Sequence, residues 1–210
     1  LNLLYADKED NIFFVHNIKS PIRNPAYDWS KIIPGDDSSL IWDEFYSFDD
    51  IPQILNPNSG YLFSANQNPF FVSSKEDNLD SKNYSITMGL QKRTTNRAHR
   101  LFELLDNDLS ISYKEMDKYK HDNKYSYNSR QYKFLERIFN HDYTSNKEFF
   151  DAQNFLKDWD LSTDKNNLHA AFGVCILSPE WLAEIKRKPQ PDPIEIFENC
   201  VQEFHNNFNG

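Results

Sequence analysis

Asn66, Gln67 and Asn68 stand in a row before Pro69, at the end of the stretch Asn56-Pro57-Asn58-Ser59-Gly60-Tyr61-Leu62-Phe63-Ser64-Ala65, which opens on two turn signals. A side-chain amide carries two donors and an acceptor and never ionises. An asparagine held in place can therefore donate to a developing oxyanion without adding a competing charge. The plainer use of such amides is to shape a turn ahead of a proline, and pattern alone puts that use first. The second candidate is Arg97, near the start of a helical pattern, where a cation opposes the helix macrodipole. Something other than the helix's own stability has to account for it, the simplest choices being solvent or an ion pair. His16 alternates with apolar neighbours, as a hydrogen-bonded core histidine does, and His99 and His169 read as structural or solvated. No Ser-His-Asp or Cys-His arrangement has a local signature, and Gly35 and Gly60 fall in no phosphate-binding pattern.

The elements that must position these residues follow from periodicity. Residues 1–6 and 11–18 alternate as two strands joined by the charged turn Asp7-Lys8-Glu9-Asp10, which predicts a hairpin. Residues 19–40 form a proline-bearing loop, long enough to wall a pocket, and Leu40-Ile41-Trp42 with Phe45-Tyr46 read as a short strand or edge. Tyr61-Leu62-Phe63 has the composition of an inner strand that delivers Asn66 at its end. From Thr94 the pattern is helical, with Thr95 or Asn96 as cap and Ala98, Leu101, Phe102 and Leu105 at the 3.6 period. Further helices are predicted over 113–120, 130–140, 146–159, 168–176, 179–186 and 193–208, with Pro179 and Pro193 in first turns. Lys188-Pro189-Gln190-Pro191 is a stiff link between the last two. The fold class is α+β: a β-rich core segment with long loops over 1–93, then a helical region over 94–210.

Bulk properties remove several classes of function. With 39% hydrophobic and 15% aromatic residues the chain is too apolar for disorder. No run approaches the roughly 20 apolar residues of a spanning helix, so no membrane partner is expected. A net charge of -9 with scattered basic groups argues against nucleic acid. Cys175 and Cys200 sit in predicted helices outside any CxxC or Cys/His zinc pattern, and each reads as a buried free thiol before a disulfide. The first residues lack the basic-then-apolar pattern of a signal peptide.

The stretch Asn56 to Pro69 resembles the "NP-x-SG-(aromatic)-x-x-x-x-N-x-x-P" segment of the penicillin acylase and acyl-homoserine-lactone acylase family, the heterodimeric N-terminal nucleophile hydrolases. Other segments resemble that family in the same order. Tyr5-Ala6-Asp7-Lys8-Glu9-Asp10-Asn11-Ile12-Phe13-Phe14-Val15-His16 looks like its "YAD-x-x-GNI-x-YVH" hairpin, with Asp10 where the family usually has glycine. Tyr27-Asp28-Trp29 and Ile33-Pro34-Gly35 look like its WDW-like element and PG turn. The helix at Thr95-Asn96-Arg97-Ala98-His99-Arg100-Leu101 looks like the one that opens with a functional arginine, and Leu156-Lys157-Asp158-Trp159-Asp160 resembles "L-x-x-WD". The resemblance covers about the first 175 residues.

The resemblance implies a fragment of an αββα core, from the interior of a β-subunit. It implies an amide hydrolase that removes an acyl chain from an amine by acyl transfer to a nucleophile. By position Asn66 matches the oxyanion-hole asparagine and Arg97 the arginine that orients it. Trp42, Tyr61, Phe63 and Phe70 are aromatic candidates for an acyl pocket, core packing being the plainer use of each. The family's nucleophile is the first β-subunit residue, and Leu1 has no attacking atom, so the nucleophile is expected upstream and the chain alone is expected to be inactive. Its partners would be the rest of the β-subunit, the α-subunit and an acylated amine, in the periplasm or outside the cell. No cofactor is required. The resemblance also implies calcium between the subunits, for which Glu76, Asp77 and Asp80 offer oxygens without a fixed spacing. The rival reading is a non-catalytic acidic domain that binds a protein or ligand through an aromatic surface.

Overall fold

A computed structural model describes residues 1–208, so the last two residues of the region expected to be helical lie outside it. The chain forms two compact units, Leu1–Leu109 and Ser110–Gly210. Among the described residues no helix is long and apolar enough to cross a membrane. The architecture is α+β, and among the described residues the strands lie in the first unit.

In the first unit, β1 (Asn2–Ala6) and β2 (Ile12–His16) form the predicted hairpin, with Asn2 opposite His16 and Ala6 opposite Ile12. The turn closes because the Asp7 carboxylate accepts from the backbone of Glu9 and Asn11 at 3.0 and 2.9 Å. Asp10 adopts φ +63, which a short polar side chain tolerates better than most. β3 (Gln53–Leu55) pairs antiparallel with the other edge of β2, so the sheet order is β1-β2-β3. Phe14, Ile54 and Val72 are buried in a small cluster on this sheet.

Two strands expected from composition do not form. Tyr61-Leu62-Phe63 is irregular: the Phe63 amide reaches Val72 at 2.9 Å, but Ser73 Oγ donates to the Tyr61 carbonyl and Gln67 Nε2 to the Phe63 carbonyl. Side chains occupy the acceptors that a ladder would use. At residues 38–40 the chain makes a single 3-10 turn, and Phe45 makes only an isolated bridge to Pro21, whose missing N–H stops the pairing there. The unit ends in α1 (Asn96–Asp106), capped by Thr95 Oγ1 accepting from the Ala98 amide at 3.2 Å. Ala98 and Leu105 are its buried face.

The second unit holds α2 (Tyr113–Lys120), α3 (Arg130–Phe139), α4 (Lys147–Lys157), α5 (Ala170–Ile185) and α6 (Pro193–Phe208). Ser112, Ser129 and Asn146 cap the first three through their side chains. One apolar core gathers Phe134, Leu135, Ile138, Leu156, Trp159, Phe172, Ile176 and Phe197. The Trp159 ring lies so close to α5 that a Cβ on Gly173 would come within 2.3 Å of it. Trp159 Nε1 donates to the Ser162 carbonyl at 2.8 Å, and Asp160 accepts from the Ser162 amide at 3.0 Å, so the ring packs and the carboxylate closes the turn after α4.

Residues 168–186 correct two expectations. Helix α5 runs unbroken through Pro179, which was expected to start a new helix. Ile176 and Leu177 are buried before the proline and Glu180, ion-paired with Arg130, is buried just after it, while Ser178 Oγ donates to the Val174 carbonyl at 2.7 Å. Cys175 and Cys200, expected to be free thiols, form a disulfide between α5 and α6 with Cα atoms 6.3 Å apart. Each lies on the face its helix turns to the other, a juxtaposition that a spacing of 25 residues does not announce.

Candidate active site

Asn66 and Arg97 meet in the first unit. Arg97 Nη2 donates to Asn66 Oδ1 at 3.1 Å. A guanidinium only donates, so the amide must turn its oxygen to Arg97 and its Nδ2 away. Among the described residues Nδ2 has no hydrogen-bond partner, and both side chains are exposed. A solvated pair of this kind contributes little to stability; its consequence is a fixed donor direction.

Three neighbouring amides build the loop that carries Asn66. Asn66 itself has φ +62, a left-handed conformation that asparagine tolerates. Gln67, buried, accepts from the Ala65 amide at 2.5 Å and donates to the carbonyls of Phe63 at 3.2 Å and Phe71 at 2.8 Å. Asn68, also buried, donates to the carbonyls of Lys92 and Arg93 at 3.1 and 2.9 Å and to Thr94 Oγ1 at 3.0 Å. That amide ties the loop to the segment leading into α1, and Arg97 thereby comes within reach of Asn66. Gln67 and Asn68 do serve the turn, as amides before a proline commonly do.

A cavity of about 400 Å³ opens beside the loop, lined by His16, Asn66, Gln67, Asn68, Arg93 and Thr95 among others. His16 Nδ1 lies 2.7 Å from Asn2 Oδ1. Burial holds its pKa below the usual histidine value, which favours the neutral ring near pH 7. Asn2 carries no signal in the sequence: its partners are 62 and 65 residues away.

None of Trp42, Tyr61, Phe63 and Phe70 lines this cavity. Phe63 is buried against Phe71, and Phe70 lies against Tyr84. Tyr61 stacks on Phe63 and donates to Asp106 at 2.8 Å, burial and then that carboxylate raising its pKa. Trp42 shares the Arg23 guanidinium with Trp29.

Two of the three carboxylates considered for calcium, Asp77 and Asp80, are engaged elsewhere. Asp77 accepts from the amides of Asn58 and Ser59 and from Ser74 Oγ, and Asp80 caps a 3-10 turn through the Lys82 amide. Among the described residues no three His, Cys, Asp or Glu side chains gather as metal ligands. These residues do not by themselves assemble a calcium site.

The chain matches the family described as penicillin amidase over residues 1–203. Among solved structures it is similar to the thermostable penicillin G acylase from Alcaligenes faecalis, with a TM-score of 0.61 at 17% sequence identity over 99% of this chain. The two share a fold over that length. The match takes in 47% of the acylase chain, so the present chain spans about half of it.

Proposed function

The chain belongs to the penicillin amidase family, and from that premise we propose that it supplies the oxyanion-stabilising part of a site that hydrolyses the amide between an acyl chain and an amine. The nucleophile is assigned to a part of the parent protein outside these 210 residues. Its oxygen attacks the amide carbon, and the carbonyl oxygen takes up the negative charge. Asn66 Nδ2 donates to that oxygen while Arg97 keeps the amide from turning over. Collapse of the tetrahedral intermediate breaks the carbon–nitrogen bond, with a proton passing to the departing amine, and water then releases the acid from the acylated nucleophile.

The observation that carries this reading is the 3.1 Å bond from Arg97 to Asn66 Oδ1, which leaves Nδ2 without a partner among the described residues, on a residue that lines the cavity. Penicillin G acylase, the structural relative, makes an acylated amine the substrate class to test first. The remainder of the β-subunit and the α-subunit are proposed as partners. Exposed Leu3, Leu4 and Tyr5 on β1 support a covering element there. The disulfide supports an oxidising compartment, periplasmic or extracellular.

The test is Asn66→Asp in the complete protein, assayed on chromogenic acyl anilides of graded chain length. Aspartate keeps the left-handed loop and still accepts from Arg97, but it has no N–H to donate. The expected result is a fall in kcat of at least about 10²–10³-fold, the usual effect of losing one oxyanion donor with the repulsion of the new carboxylate added to it, and KM little changed. Turnover at the wild-type rate would overturn the reading.

A further inference from the structure

We infer that Asn2 is a positioning residue for the Asn66 loop, held in its working orientation by His16. The inference rests on Asn66 being the oxyanion donor. Asn2 Nδ2 donates to Ser64 Oγ at 3.2 Å and to the Gln67 carbonyl at 3.1 Å. The two acceptors lie on either side of Asn66 in the chain, so one side chain on β1 spans the residue whose donor must be aimed. Regular pairing does nothing for this segment: no strand runs through it, and Asn66 stands at φ +62. Gln67 braces the loop from within, and Asn2 braces it from the sheet.

The direction of the Asn2 amide is itself determined. Both of its Nδ2 hydrogens are used, which leaves Oδ1 toward the ring of His16, 2.7 Å away and directly opposite on β2. An amide oxygen only accepts, so His16 must carry its proton on Nδ1. Turning the Asn2 amide over would set N–H against N–H at His16 and oxygen against oxygen at Gln67, so a single orientation satisfies all three neighbours. The sheet, through one cross-strand pair, thus fixes a loop more than sixty residues along the chain.

The claim is tested by a double-mutant cycle in the complete protein, on the same acyl anilides. Asn2→Ala should lower kcat about 10–100-fold with KM within about twofold, as misplacing a reacting group by an ångström does. In the Asn66→Asp background the same change should cost no more than about twofold, because Asn2 acts only through Asn66. His16→Ala should reproduce the pattern, and His16→Asn, whose amide can replace the donated N–H, should recover most of the rate. If Asn2→Ala does not fold, Asn2→Asp, which keeps the acceptor for His16 and loses both donations, runs the same cycle. Full additivity in the Asn66→Asp background, or a kcat unchanged in Asn2→Asp, would overturn this inference alone. Wild-type turnover in Asn66→Asp would overturn the oxyanion reading and this one with it.

Discussion

The two units of the chain are ordered by different physics. In Ser110–Gly210 one apolar core gathers α3, α4, α5 and α6, and polar groups trim the ends. In Leu1–Leu109 the buried apolar cluster on the sheet is small, and much of the fold consists of irregular segments held by side chains that reach backbone groups: Asp7, Asn56, Gln67, Asn68, Asp77 and Asn78. Apolar burial is strong and insensitive to direction, whereas a hydrogen bond is modest and strict about geometry. The candidate site lies where direction is controlled. This division implies that core changes in the second unit act mainly on stability, while single polar changes in the first act mainly on the site.

The largest expected effect is on the helical side. Trp159 is buried with its ring against Gly173 and edge-on to Tyr125 at 5.8 Å. Trp159→Ala should destabilise the second unit by about 3–5 kcal/mol, read as a lower denaturant midpoint and faster amide exchange in α3, α5 and α6. An equal rise in exchange across β1–β3 would break the contrast between the units. Next comes the disulfide. Reduction, or Cys175→Ser with Cys200→Ser, opens a cross-link spanning 25 residues, expected to stabilise by about 3 kcal/mol. The thermal midpoint of the second unit should fall in reductant while the first unit's is unmoved.

How legible this arrangement is depends on the range of the forces that make it. Capping serines, the Asp7 turn and the periods of α1, α2, α3 and α4 are local, and their residues announce them. The stretch at Tyr61-Leu62-Phe63 misleads because strand-like composition says nothing about Ser73 and Gln67, which take up the carbonyls from outside the segment. Pro179 misleads because tertiary contacts hold the helix on both sides of it, the buried Leu177 before and the Arg130-paired Glu180 after, and local rules do not weigh them. The disulfide depends on how α5 and α6 face one another, which no spacing states. At the candidate site, residue type alone leaves Asn66 a turn amide first and Arg97 a cation the helix does not want; the family resemblance is what singles out the pair. Their meeting depends on Asn68 reaching residues 92–94, and the orientation of the loop on Asn2, contacts set by tertiary structure alone.

A smaller change sharpens the contrast from the other side. Thr95 caps α1 two residues before Arg97. Thr95→Ala should cost about 1 kcal/mol of stability, yet lower kcat more than that loss of folded protein explains, because the first turn that carries Arg97 loses its anchor. A rate that falls only in proportion to the folded fraction would show that the polar scaffold of the first unit is not coupled to the site.

The smallest effect per residue is the response to acid. In the first unit Asp7, Asp28, Asp37, Asp50 and Asp77 have pKa values below the ordinary 3.8, held there chiefly by hydrogen bonds from Asn11, Ser30, Ser39, Ser47 and Ser59 respectively. In the second unit Asp142 and Asp160 are lowered in the same way, by Thr144 and by Lys124. A carboxylate with a depressed folded pKa contributes stability that is present above its unfolded value and is lost as pH falls through the folded one. The window is therefore below about pH 4, and the loss should fall more heavily on the first unit, where these carboxylates tie the turns. All are solvent-exposed or nearly so, and screening keeps each contribution small. Amide exchange followed from pH 7 to pH 2 should show the first unit losing protection before the second, with Asp77→Asn reducing the pH dependence around residues 58–60. If the second unit opened first, the polar scaffold would be the sturdier of the two.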